Sequence, residues 1–395
     1  MNAGVAALAS LGCLGALALG CGDSRKATPA SAGAPSGSAA ASGAEPPYAP
    51  PRGMVWIPPG VLLAGTPMTQ VPRVPDAELG GEQVVMTGFF IDRLPYPNEP
   101  GSIPTTHLSH AEARAICEDD GKRLCTELEL ERACKGPDNL PFSYGAAFDP
   151  EACGGELANP LSPTAQRPRC ESAFGVRDLH GSAATWTASV WRRGSSPTER
   201  LVVRGGVGRE AEVATRCAHA VARAPTERPT DVGVRCCAGP PNTFEVRLEV
   251  RDGPHFDLHS LDSATEARLA GFGEQSLGSA TSPLRPYRVA RAYRWRPAGN
   301  EELLVAAGCQ DPPKRPKRTP ISKCGVVIAR HAGALLAFAA TGHRQPTPEP
   351  AATRRELSVL GGDPKGAFRL PIRYDWGRVT VLGPTRLPGI DRPPD

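Results

Sequence analysis

The sequence predicts an α+β domain followed by a small all-β domain. Two segments carry the same helix-opening signature, Ser109 with Glu112 and Thr126 with Glu129. In each, a hydroxyl and a carboxylate three residues apart can satisfy the free N–H groups of a first helical turn. Beyond Pro240-Pro-Asn242 the chain turns to short alternating runs, the pattern of strands. Aromatic residues make up only 5% of the chain against 43 Gly and 43 Pro, which favours a loop-rich fold over long helices. A length of 395 residues suits two domains, and 40% hydrophobic content allows each a core. The net charge of +4 gives no reason to expect a nucleic-acid partner.

In chain order, Ala3 to Leu19 is an unbroken run of apolar and small residues, short for a spanning helix, which needs ~20 apolar residues. It ends in Ala18-Leu19-Gly20-Cys21, which resembles a bacterial lipobox. Residues 1–21 are therefore expected to be a lipoprotein signal peptide with Cys21 as the lipidated residue. That implies an anchored protein of the bacterial cell envelope, with the membrane as one partner. An ordinary signal peptide or an uncleaved anchor is the alternative reading. Residues 22–52 are rich in Ala, Ser, Gly and Pro and cannot bury enough apolar surface to fold, so they read as a disordered tether reaching roughly 30 Å. Setting aside Cys13 and Cys21 leaves ten of twelve cysteines, an even number that in an exported chain reads as disulfides. Zinc is the competing reading, but Cys117/Cys125 and Cys236-Cys237 are the tightest spacings and neither is Cys-x-x-Cys.

Val85 to Asp92 reads as a strand carrying Phe89 and Phe90 to the core. Ser109–Cys117 reads as a helix with Ala113, Ile116 and Cys117 on its apolar stripe. Glu127–Lys135 reads as a second helix with Leu130, Ala133 and Cys134 inward. Glu127, Glu129 and Glu131 are expected to be structural or solvated, as charges on a helix face normally are. In the C-terminal domain, residues 241–395, strands are expected over Thr243–Val250, Tyr287–Arg296, Cys324–Arg330, Ala334–Ala340 and Phe368–Tyr374, with a hairpin turn at Gly333. Cys309 and Cys324 are the only cysteines there and should pair. They bracket a basic, Pro-rich stretch, Asp311 to Thr319, a solvated loop or a weak contact for anionic lipid or glycan.

Several motifs recur in a fixed order: Gly121 to Cys134, Phe142-Ser-Tyr-Gly145, Phe174 to Thr187, Arg204-Gly-Gly206 and Gly233-Val-Arg235. In this order they resemble the formylglycine-generating enzyme (sulfatase-modifying factor) family. The resemblance covers residues 53–240 and implies a compact α+β fold related to C-type lectins. Met54 to Gly65 looks like that family's opening strand and hairpin, and Pro97-Asn98 like its turn into the first helix. The resemblance also implies two disulfides, Cys117–Cys236 and Cys134–Cys217. Each closes a loop of about 80–120 residues, on the order of 4 kcal/mol in the chain-entropy model. Cys153 and Cys170 are left to pair locally, and Cys125 with Cys237 by elimination.

The family's chemistry is where the sequence departs. Its oxidase members bind copper(I) through two cysteines shortly after Arg-Gly-Gly, because copper(I) requires soft thiolates. Here Val207 to Arg216 contains none, and Cys217 belongs to the implied bridge. The family's calcium ligands, an Asn and a Glu, fall on Ser182 and Thr185, and only Asp178 keeps a carboxylate. Trp186 is expected to pack in the core. His107/His110 and His255/His259 lack the further ligands a metal site needs. The expectation is a degenerate, disulfide-stapled scaffold with no catalytic residue and no copper or calcium cofactor. It would bind a protein, peptide or glycan in a polar groove at Arg209, Glu210, Glu212 and Arg216. The alternative is an oxidoreductase of altered chemistry acting on a peptide in that groove.

Overall fold

A computed structural model describes residues 45–387 except 155–160, 195–197, 207–209, 250–253, 279–283, 300, 312–321 and 332. The signal segment, Cys21, most of the tether, Arg209 and the basic stretch after Asp311 lie outside the described residues. Residues Gly43–Asp395 cluster as one compact unit.

The two capping boxes form as written. Ser109 opens α1 (His110–Asp119) and Thr126 opens α2 (Glu127–Lys135); each hydroxyl accepts from the N–H three residues on, and Glu112 and Glu129 reach back. Around them lie two four-stranded sheets. One runs Met54–Ile57, Phe89–Asp92, Cys236–Ala238, Arg123–Leu124; the other Val232–Gly233, Ala184–Val190, Leu201–Arg204, Ala220–Arg223. Gly60–Gly65 and Gly80–Met86 form a separate antiparallel pair. Phe89, Ile91, Leu130, Cys134 and Val176 fill one core, and Trp186, Cys117, Val203 and Cys236 another.

The C-terminal half is a ten-stranded sheet spanning Phe256 to Arg386. Its central strands show why they are apolar on both faces. Along Leu303–Gln310, residues 303, 305 and 307 enter one core with Val326, Ile328, Val359 and Ile372, while 304 and 306 enter another with Val327 and Leu269. Alternation at period two, covered on both sides, leaves no exposed position.

The expectation of an all-β domain is corrected by a helix. After two short helical turns, α3 (Pro150–Cys153) and α4 (Ala211–Ala214), α5 (Ser263–Leu277) packs on this sheet through Leu269. Asp262 caps it by accepting from the Thr265 N–H at 2.8 Å. Its two interior glycines mask the helical signal. Gly273 is there because a Cβ would sit 2.5 Å from the Tyr287 ring.

Loop residues before the Gly80 strand reach into the C-terminal sheet. The buried guanidinium of Arg73 pairs with the buried Glu301 carboxylate, which also accepts from Arg330 at 3.1 Å and from the Tyr374 hydroxyl at 2.9 Å. Asp76 pairs with Arg355 at 3.0 Å.

Candidate functional site

The acidic residues of α2 form a buried electrostatic frame: they are structural, as expected, but not solvated. Glu127 pairs with Arg193 and Arg204, Glu131 with Lys135 and Arg204, and Glu129 with Arg123. Burial opposes ionisation of Glu131, but Lys135 and Arg204 outweigh it and hold the carboxyl below its ordinary range. Charges this deep persist only when each is paired. Arg204 also donates to the Cys217 carbonyl at 3.0 Å, tying α2 to the segment after the Arg-Gly-Gly motif.

The ten described cysteines are joined as Cys117–Cys236, Cys125–Cys237, Cys134–Cys217, Cys153–Cys170 and Cys309–Cys324. The first three staple α1, the start of α2 and the end of α2 to the returning chain. None of the ten is left as a thiol for metal.

Arg204-Gly-Gly206 is a tight backbone crossing. Gly205 and Gly206 have φ of 78° and 92°, and a Cβ on Gly205 would lie 2.4 Å from the Leu179 carbonyl oxygen. Of the residues expected to form a groove after it, the described ones, Glu210, Glu212 and Arg216, do not converge. Glu210 is exposed, and Glu212 lies 3.7 Å from Arg378 of the C-terminal sheet. Arg216 turns the other way and is buried against Glu78 and Thr66. Arg216 is thus a structural cation. Burial raises the Glu78 pKa, but Arg216 beside it brings the carboxyl below its ordinary value.

The open concavity lies alongside. Tyr144 to Pro150, with Pro168, Arg169 and Glu171, line a groove of about 750 Å³. Phe142 and Tyr144 stack at 5.5 Å and Phe148 leans on Phe142 at 5.8 Å. The Asp149 N–H donates to the Tyr144 hydroxyl at 3.2 Å, and Asp149 also pairs with Arg169. Burial raises the Tyr144 pKa, so the phenol stays neutral. The sequence marked Phe142-Ser-Tyr-Gly145 as a motif, but nothing in it revealed that Arg169 and Glu171 complete the wall.

At the calcium positions, Ser182 and Thr185 are buried, and the Ser182 hydroxyl has no hydrogen-bond partner. The Asp178 carboxylate accepts from the Ala165 N–H at 2.7 Å. These positions thus offer two hydroxyls and one engaged carboxylate, whereas calcium takes about six to eight oxygens. Trp186 is fully buried and donates to the Leu108 carbonyl at 2.9 Å. The histidine pairs find separate duties: His110 contacts the Thr187 carbonyl at 3.0 Å, and His259 stands edge-on to His331. His180 alone joins cysteines, with Nε2 at 2.8 Å from the Cys134 sulfur. Burial lowers its pKa to about 3.

Residues 97–239 match the family model described as a sulfatase-modifying factor enzyme 1-like domain. Among curated relatives, the inactive C-alpha-formylglycine-generating enzyme 2 of Bos taurus is 29% identical over 170 residues, covering 36% of this chain and 55% of that protein. The hercynine oxygenase of Mycolicibacterium smegmatis is 34% identical over 100 residues, covering 24% of this chain and 23% of that protein. The chain thus spans about half of the first relative and a quarter of the second. Among solved structures, PvdO from Pseudomonas aeruginosa aligns with a TM-score of 0.39 at 20% identity, over 47% of this chain and 93% of that one. Treponema denticola variable protein 1 aligns with a TM-score of 0.38 at 14% identity, over 47% and 95%.

Proposed function

We propose that this protein is a lipid-anchored envelope protein whose sulfatase-modifying-factor-like domain binds a partner and performs no oxidation. One observation carries the reading: Val207 to Arg216 contains no cysteine, and all ten described cysteines stand in disulfides. Copper(I) has no thiolate pair to bind, and Glu210 and Glu212 are hard, poor substitutes. A relative described as inactive is in keeping with it.

The groove at Tyr144 and Phe148 is the binding surface in this reading. Its half-buried aromatic faces suit a peptide side chain or a sugar ring, and Arg169, Asp149 and Glu171 supply the polar contacts. Gly20-Cys21 supplies the anchor, and the sheet from Phe256 onward is a second lobe fastened through Glu301.

A competition titration tests the metal half of the proposal. Oxidised protein is mixed with copper(I) held by a chromophoric chelator such as bathocuproine disulfonate. The proposal expects the chelator's absorbance to stay unchanged at several equivalents of protein. Stoichiometric withdrawal of copper(I) would overturn it.

A further inference from the structure

One buried cluster stands apart from the groove. The His180 Nε2 lies 2.8 Å from the Cys134 sulfur and 3.9 Å from the Cys217 sulfur. Its Nδ1 is buried with no hydrogen-bond partner. Among the described residues these three form the one group of three or more histidine, cysteine or acidic side chains whose donor atoms all lie within 4.8 Å of one another. Buried polar groups are nearly always satisfied, and a disulfide sulfur is a weak acceptor. The oxidised state therefore gives this imidazole little reason to be where it is. The backbone nonetheless fixes it there. Gly181, next in the chain, has φ of 68°, and a Cβ on it would collide with the Cys153 carbonyl oxygen.

We propose that Cys134, Cys217 and His180 form a zinc(II) site in the reduced chain, and that the Cys134–Cys217 disulfide replaces it on oxidation. The donor set is two thiolates and one neutral imidazole. Their charge cancels that of zinc(II), which matters where no water solvates an excess charge. Copper(I) would leave the cluster net negative. Zinc–sulfur bonds of ~2.3 Å and zinc–nitrogen bonds of ~2.0 Å in a tetrahedron put ligand atoms roughly 3.5–3.8 Å apart. The two sulfur–nitrogen distances already bracket that spacing, and breaking the disulfide frees the sulfurs to part. The fourth position is also available. A void of about 10 Å³ borders all three side chains, walled by Thr185, Arg204 and Gly205. That is about the space of one water, the usual fourth ligand of a three-residue zinc site. These cysteines end α2 and follow Arg216, so the site is distinct from the family's copper pair.

The two fates of the thiols balance differently. Zinc binding converts two thiols to thiolates and releases two protons, with no electron transfer. Disulfide formation passes two electrons and two protons to oxidised glutathione, which leaves as two molecules of glutathione. Zinc should therefore protect one specific pair from oxidation.

The test is oxidative refolding of the fully reduced full-length chain in a glutathione buffer, with and without one equivalent of zinc(II). Alkylation and peptide mapping then identify the remaining thiols, and elemental analysis counts zinc. Without zinc, all five bridges are expected. With zinc, alkylation at Cys134 and Cys217 should rise severalfold, the eight cysteines of the other four bridges should stay oxidised, and one zinc should be retained per chain. His180→Gln should lose both the zinc and the protection while still forming Cys134–Cys217 without zinc, which shows that it folds. Three results would overturn the proposal: no protection, protection spread over the other cysteines, or equal protection in His180→Gln. If His180→Gln fails to form its bridges, wild-type chain loaded with cobalt(II) decides. A single thiolate-to-cobalt charge-transfer band at one equivalent supports the site, and its absence rejects it.

Discussion

Glu301 is the residue whose loss should be felt most widely. It is 1% exposed and neutralises two guanidinium groups, Arg73 from the N-terminal loop and Arg330 from the sheet. Tyr374 donates its hydroxyl to the same carboxylate. Glu301→Ala leaves both cations buried without a counter-charge. Removing one member of a buried ion pair costs about 3–5 kcal/mol, so a loss in that range is the minimum expected. Glu301→Gln keeps one acceptor oxygen but no charge and should cost about 2–3 kcal/mol. The control is Asp311→Asn, which breaks an exposed pair with Arg288 and should cost under about 1 kcal/mol. Urea unfolding followed by tryptophan fluorescence measures all three, with equal slopes required for comparison. The reasoning fails if Glu301→Ala loses no more than Asp311→Asn.

Three other outcomes follow from the same contacts. Gly273→Ala should destabilise by about 1–3 kcal/mol because its methyl meets the Tyr287 ring, whereas Gly271→Ala, with open space around it, should stabilise by about 0.5–1 kcal/mol; urea midpoints of the two variants decide. Arg216 holds the Glu78 carboxyl below the ordinary carboxylate range, so its stabilising contribution is complete above that range and is lost as pH falls through the folded pKa. Acid titration of stability should therefore show a drop below about pH 4.5 that is shallower in Glu78→Gln; equal slopes would remove Glu78 from the account. Cys21→Ala should abolish incorporation of a fatty-acid label and release the protein from the membrane fraction, and continued labelling would refute the lipid anchor.

How much of this was legible depends on the range of each signal. The capping boxes were readable because Ser109–Glu112 and Thr126–Glu129 are local and complete within four residues. The pairings Cys117–Cys236 and Cys134–Cys217 are implied by the family resemblance alone. They were not readable from spacing, since 119 and 83 residues separate the partners. The α2 glutamates looked like a solvated face because Arg193 and Arg204, which neutralise Glu127, lie 66 and 77 residues away. Arg216 looked like part of a groove for the same reason: its partner Glu78 is 138 residues earlier. Helix α5 escaped notice because Gly271 and Gly273 weaken the helical pattern, and only the ring of Tyr287 explains the second of them. The aromatic groove was half visible, through Phe142 and Tyr144, while its charged wall comes from a separate loop.

At the centre stands the proposal that this domain performs no oxidation. Its most direct test is aerobic incubation of the purified protein with copper and a sulfatase-type peptide containing one cysteine, read by mass spectrometry. The account predicts no conversion of that cysteine to the aldehyde beyond a copper-only control. Conversion above the control, abolished by heating the protein, would contradict it.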